Sequence, residues 1–130
     1  MALMKFREPN QVQWVGTRPA HRGTQIAANV FVDNVTTIIY TVSAGKTLYL
    51  CHAILASTSI VAGNGVLKIR DAVDADWIHL ARAYQTALSW GQNYSIPFWP
   101  PLEIPALYDV VVLSNAVGCS WLGGIHGWEE

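Results

Sequence analysis

The side chains able to do chemistry in this chain are His21, His52, His79 and His126, the thiols of Cys51 and Cys119, and a scatter of carboxylates. A cupin-type metal centre shows two histidines two residues apart followed by a glutamate, and Cys51-His52 has neither neighbour. No metal site is expected, and His52 and His79 read as hydrogen-bonded strand residues. Glycosidic cleavage needs two carboxylates held at a set separation. The candidates are Asp71, Asp74, Asp76, Glu103, Asp109, Glu129 and Glu130, of which the Asp71 to Asp76 group reads as a solvated turn. Gly-x-Ser-x-Gly, His-Glu-x-x-His, Cys-x-x-Cys and a complete phosphate-binding loop are all missing from the sequence. Ala44-Gly45-Lys46-Thr47 has only the tail of such a loop, and it joins two strand-like runs as a hairpin turn. The expectation is a protein that is not an enzyme and holds no cofactor.

What must position these residues is a chain of unusual surface chemistry. Only 13% of its 130 residues are charged while 52% are hydrophobic, against about 25% charged in an ordinary soluble domain. Apolar runs such as Val110 to Leu113 are strand-sized, far short of the ~20 residues of a membrane-spanning helix. The expectation is a single domain that hides apolar surface against copies of itself or a larger assembly, with no membrane partner. After Met1, Lys5, Arg7 and Glu8 interrupt any apolar leader, so cytoplasmic synthesis is expected. In that compartment Cys51 and Cys119 should be free thiols.

The two signs of charge are unevenly placed. Residues 1–23 carry Lys5, Arg7, Arg18 and Arg22 against Glu8 alone, a net +3, and residues 24–130 carry four bases against eight acids, a net −4. Four bases spread over eighteen positions make too thin a patch for a nucleic-acid binder. Pro9, Gly16, Pro19 and Gly23 deny this segment a helical or strand period, so residues 1–23 read as an extended arm. Its Phe6 and Trp14, among the bases Lys5, Arg7, Arg18 and Arg22, mark it as a contact for another protein surface.

From Thr24 onward, β-branched and aromatic runs alternate with turn signals, the pattern of an all-β antiparallel sandwich over residues 24–130. The expected strands are Thr24 to Val32, Thr36 to Val42, Lys46 to Ser57, Gly65 to Asp71, Trp77 to Tyr84, Leu88 to Ile96, Asp109 to Ser114 and Cys119 to His126. Asp76 to Trp90 also admits a helical reading, and Ile96 to Pro105, with four prolines, reads as an extended crossover at a sheet edge or over an end. Strict alternation in Lys46 to Ser57 sends Leu48, Leu50, Ile54 and Ala56 one way and Tyr49, Cys51, Ala53 and Leu55 the other, so both faces are apolar. Val110 to Leu113 behaves alike. One face would be core and the other a subunit contact, which makes Tyr49, Leu55, Val111 and Leu113 candidates for an oligomer interface. Trp77, Tyr84, Trp90, Tyr94, Phe98 and Trp99 crowd into 23 residues and suit a core or interface, Trp90 and Trp99 being the interface candidates; exposed rings for stacking on sugars are the alternative.

Three segments carry a resemblance: Thr41-Val42-Ser43-Ala44-Gly45-Lys46-Thr47-Leu48-Tyr49-Leu50, Phe98-Trp99-Pro100-Pro101-Leu102-Glu103-Ile104-Pro105, and Gly124-Ile125-His126-Gly127-Trp128-Glu129-Glu130. Together they resemble the small jelly-roll structural proteins of tailed bacteriophages, which include head decoration or cement proteins and spike or fibre heads. Proteins of this look often carry Pro before Ala-Gly and Gly after Ile-Pro, where this chain has Ser43 and Leu107. The resemblance implies a jelly-roll fold, a homo-oligomer and specifically a trimer, the major capsid protein as partner, and a place on the outside of the virion. Binding of a host receptor or glycan by a tail, spike or fibre head is the alternative it implies.

Overall fold

The computed structural model describes residues 23–87 and 91–130. They form eight strands: β1 Thr24–Asp33, β2 Thr36–Thr41, β3 Leu48–Ser57, β4 Gly63–Arg70, β5 Asp76–Gln85, β6 Asn93–Ile104, β7 Asp109–Ser114 and β8 Ser120–Glu129. Two four-stranded sheets result, ordered β1-β8-β3-β6 and β2-β7-β4-β5, and every pairing is antiparallel. Successive strands β1 and β2, or β7 and β8, sit in opposite sheets, so the chain is a jelly roll, two Greek keys folded over one core. The all-β sandwich expected from the turn spacing is the observed architecture.

Between the sheets lie Val42, Leu48, Leu50, Leu55, Leu67, Ile69, Ile104, Val110, Val112 and Trp121, all fully buried. Trp121 is the largest of them, and its indole nitrogen donates to Cys119 Sγ at 3.2 Å. Its ring lies flat against the backbone of Gly65, where any side chain would collide with it. Neither cysteine is in a disulfide, Cys119 lying in the core and Cys51 half-buried.

Asp76–Gln85 is a strand, as the Trp77 to Tyr84 assignment expects, and the helical reading falls away. Two expectations change. The proline-rich crossover is itself part of strand β6, Asn93–Ile104. An edge strand needs ladder donors on one side only, and β6 is an edge of its sheet, so it can hold Pro97, Pro100 and Pro101. The second change concerns β3, whose register slips between Leu50 and His52 against both neighbours; Cys51 is an extra residue relative to β8, whereas against β6 the surplus lies in β6, with residues 98–101 opposite Cys51 alone. The β-bulge at Cys51 resets the alternation. Leu48, Leu50, Ala53 and Leu55 therefore share the core face, while Tyr49, His52, Ile54 and Ala56 turn outward.

That bulge overturns one interface candidate, because Leu55 is a fully buried core residue. Val111 is also overturned: it points away from the core, opposite to Val110 and Val112, yet is fully covered within its own chain. Leu113 and Tyr49 are half-buried, and Trp99 is 92% exposed. Trp90 and the arm residues Lys5, Phe6, Arg7, Trp14, Arg18 and Arg22 lie outside the described residues.

Candidate functional site

The outer faces of the two sheets differ in what their side chains have left to bind. On the β2-β7-β4-β5 face a group of charged side chains is paired internally. Asp109, nearly buried, accepts from Thr41 Oγ1 at 2.6 Å and from Arg70 Nη2 at 3.1 Å, and Arg70 also reaches Asp74 at 3.3 Å. Lys68 meets Asp76 at 2.8 Å, and His79 Nε2 lies 3.4 Å from the same carboxylate. The Lys68 and His79 hydrogen bonds hold the Asp76 carboxyl below its ordinary pKa. The neighbouring Asp71 caps its own turn, accepting from the amides of Val73 and Ala75, as its sequence context suggests.

The β1-β8-β3-β6 face carries no such pairs at its centre. Register places Ala27, His126, His52 and Pro97 in one row and Asn29, Gly124, Ile54 and Ser95 in the next. The small Ala27 and Gly124 leave a depression of about 260 Å³, flanked by Asn29, His52, Ile54 and His126. His52 and His126 are direct cross-strand partners. Each imidazole is tethered outward by its Nε2, His52 to Ser95 Oγ at 2.6 Å and His126 to the Gln25 side-chain amide at 2.9 Å. One row away, Tyr49 and Trp128 stack with centroids 5.2 Å apart. Among the described residues no group of three or more His, Cys, Asp or Glu is placed to hold a metal ion.

The two ends of the sandwich also differ. At one, the hairpin Ser43 to Thr47, the β6-β7 turn and the chain's C-terminal residues are latched together. Glu129 accepts from the Ser43 amide at 2.6 Å and the Ser43 hydroxyl at 3.0 Å, and Thr47 and Glu130 exchange backbone bonds. Burial pushes the Glu129 carboxyl up, but the Ser43 amide and hydroxyl, the Tyr40 hydroxyl and the Lys46 charge outweigh it and leave the pKa below its ordinary value. At this end Leu107 adopts φ 69°, a left-handed conformation that costs a leucine about 1 to 2 kcal/mol.

The other end gathers the β1-β2, β3-β4 and β7-β8 loops. Asp33 accepts from the Gly118 amide at 2.8 Å, Val35 O from the Ser114 amide at 3.0 Å, and Ser59 Oγ from the Ser120 amide at 3.0 Å. This knitting displays aliphatic side chains beside the exposed polar Asp33, Asn34, Thr58 and Asn115: Val35, Ile60, Val61 and Val117 are each at least 40% exposed, Val117 reaching 79%. A side chain on Gly118 would touch Val61. Sequence reading missed this patch, because its members stand singly in three loops and meet only through the topology.

The aromatic crowd of residues 77–99 does not form one platform. Trp77 packs edge-on against Tyr108 at 5.0 Å, Phe98 packs on the core, and the exposed Tyr84, Tyr94 and Trp99 divide between β5 and β6, edge strands of different sheets. No protein-family model matches this sequence, and no curated protein is detectably similar to it.

Proposed function

We propose that this chain is a structural subunit of a bacteriophage virion, a decoration or cement protein that attaches to the outside of the head as a homo-oligomer, a trimer, and reinforces it. The observation that carries this reading is the apolar loop end. Val35, Ile60, Val61 and Val117 offer water a cluster of branched aliphatic side chains on a frame fixed by loop-to-loop hydrogen bonds. Such a rigid patch gains from burial, at ~25 cal/mol per Å² of apolar surface, without having to order a loop. Low overall charge and the resemblance to phage jelly-roll proteins agree with it. The basic segment 1–23 supplies the second contact, toward an acidic capsid surface or neighbouring subunit.

The test is a head-binding assay with purified undecorated particles. Val61→Asp with Val117→Asp should keep the wild-type melting temperature and lose at least tenfold in head affinity, since an unpaired charge is buried on docking. Full occupancy by that variant would reject the loop end as the contact. A second reading, a receptor- or glycan-binding head, is favoured by one observation, the uncharged depression beside the Tyr49–Trp128 stack.

A further inference from the structure

We propose that His52 and His126 form a two-imidazole clip for a borderline divalent cation, Zn²⁺ or Cu²⁺, in the depression on the outer face of the β1-β8-β3-β6 sheet. Three observations converge on it. The two residues are direct partners across adjacent antiparallel strands, which puts their β-carbons ~5 Å apart and on one face. That separation suits two nitrogens that must each approach a shared ion at ~2.0 to 2.1 Å.

The second observation is the tethering. A metal-bound histidine characteristically uses one ring nitrogen for the ion and the other for a hydrogen bond that fixes the ring. Here Ser95 and Gln25 hold the two Nε2 atoms from the flanking strands β6 and β1. Both Nδ1 atoms are without a hydrogen-bond partner among the described residues. As placed, the Gln25 amide nitrogen donates to His126 Nε2; the clip requires that amide turned over, so that its oxygen accepts from Nε2–H and the lone pair of His126 sits on Nδ1. The Ser95 hydroxyl, which can accept as readily as donate, allows the same tautomer at His52.

The third is room and charge. Gly124 and Ala27 keep the space beside the rings open, and the remaining coordination positions would be filled by water or the Asn29 amide oxygen. No lysine or arginine lines the depression. Imidazole-only donor sets favour Cu²⁺, Ni²⁺ and Zn²⁺ over Mg²⁺ and Ca²⁺, which demand oxygen ligands. Bound there, the ion would link β3 to β8 at the middle of the sheet and stabilise the folded state by mass action.

The experiment is calorimetric titration of the full chain, prepared without a histidine tag, with Zn²⁺ and separately with Mg²⁺ at pH 7.5. One Zn²⁺ per chain with micromolar affinity, no Mg²⁺ binding and a rise in melting temperature with Zn²⁺ are expected. His52→Gln and His126→Gln should each weaken Zn²⁺ binding at least tenfold, Gln25→Ala and Ser95→Ala by up to about tenfold, and His79→Gln not at all. The unmodified chain gives an independent reading, because imidazole must be deprotonated to bind: affinity should fall more than tenfold between pH 7.5 and pH 5. Absence of Zn²⁺ binding, binding unchanged in either of the first two variants, or affinity indifferent to pH would overturn the clip.

Discussion

The two outward faces of this sandwich share a core but spend their polar groups differently. On the β2-β7-β4-β5 face, Asp109, Arg70, Thr41, Lys68, Asp76 and His79 are paired with one another, with the buried Arg70 Nε left without a partner among the described residues. At the centre of the β1-β8-β3-β6 face, Asn29, His52 and His126 border a hollow floored by small residues. Charges that neutralise each other on their own sheet have little to offer a partner, while anchored donors and acceptors retain capacity for a ligand. The proposed division is between a face that maintains the structure and one that binds.

The strongest way to break this contrast is Asp109→Ala. Removing the carboxylate leaves Arg70, whose side chain is 19% exposed, without its buried partner. A loss of about 3 kcal/mol is expected by urea denaturation, whereas His126→Gln on the other face should stay within about 0.5 kcal/mol. Comparable losses from both would erase the distinction between the faces.

Acid sharpens the contrast next. Asp76 and Glu129 have folded-state pKa values below their ordinary ones, so each contributes stability that is complete above the ordinary carboxylate range and disappears as pH falls through the lowered value. Melting temperature should therefore drop on going from pH 5 to pH 2. Asp76→Asn, and more strongly the buried Glu129→Gln, should flatten that drop, while His52→Gln leaves the acid profile unchanged. The smallest effect belongs to neither face. Leu107→Gly relieves a left-handed leucine at the latched end and should raise stability by up to about 1 kcal/mol, with head binding and Zn²⁺ binding both unaltered.

The sandwich was legible from sequence because turn residues such as Asn34 and Gly45, both at positive φ, punctuate β-branched runs at regular intervals. Two features were not. Nothing in Leu50-Cys51-His52 announces a bulge, since every residue there is at home in a regular strand, and so Leu55 was assigned to the wrong face. Proline's missing donor argued against a strand at Pro97 to Pro101, an argument that loses force at an edge, and edges are set by topology. The site was less legible still. His52 and His126 are 74 positions apart, and only the β3-β8 register, fixed by where Trp121 and the leucines bury, makes them neighbours.

Pro97, Pro100 and Pro101 carry a last consequence for how copies of this chain can join. They blunt the β6 margin of its sheet against strand addition, while β1 at the opposite margin contains no proline. Among the described residues, edge-to-edge growth of this sheet thus has one margin without proline, not two. A pair of copies meeting β1 to β1 about a two-fold axis would present only blunted margins to a third, which would end growth at two rather than extend it into a fibre. A three-fold assembly must be made through the loop end, the outer faces or the arm.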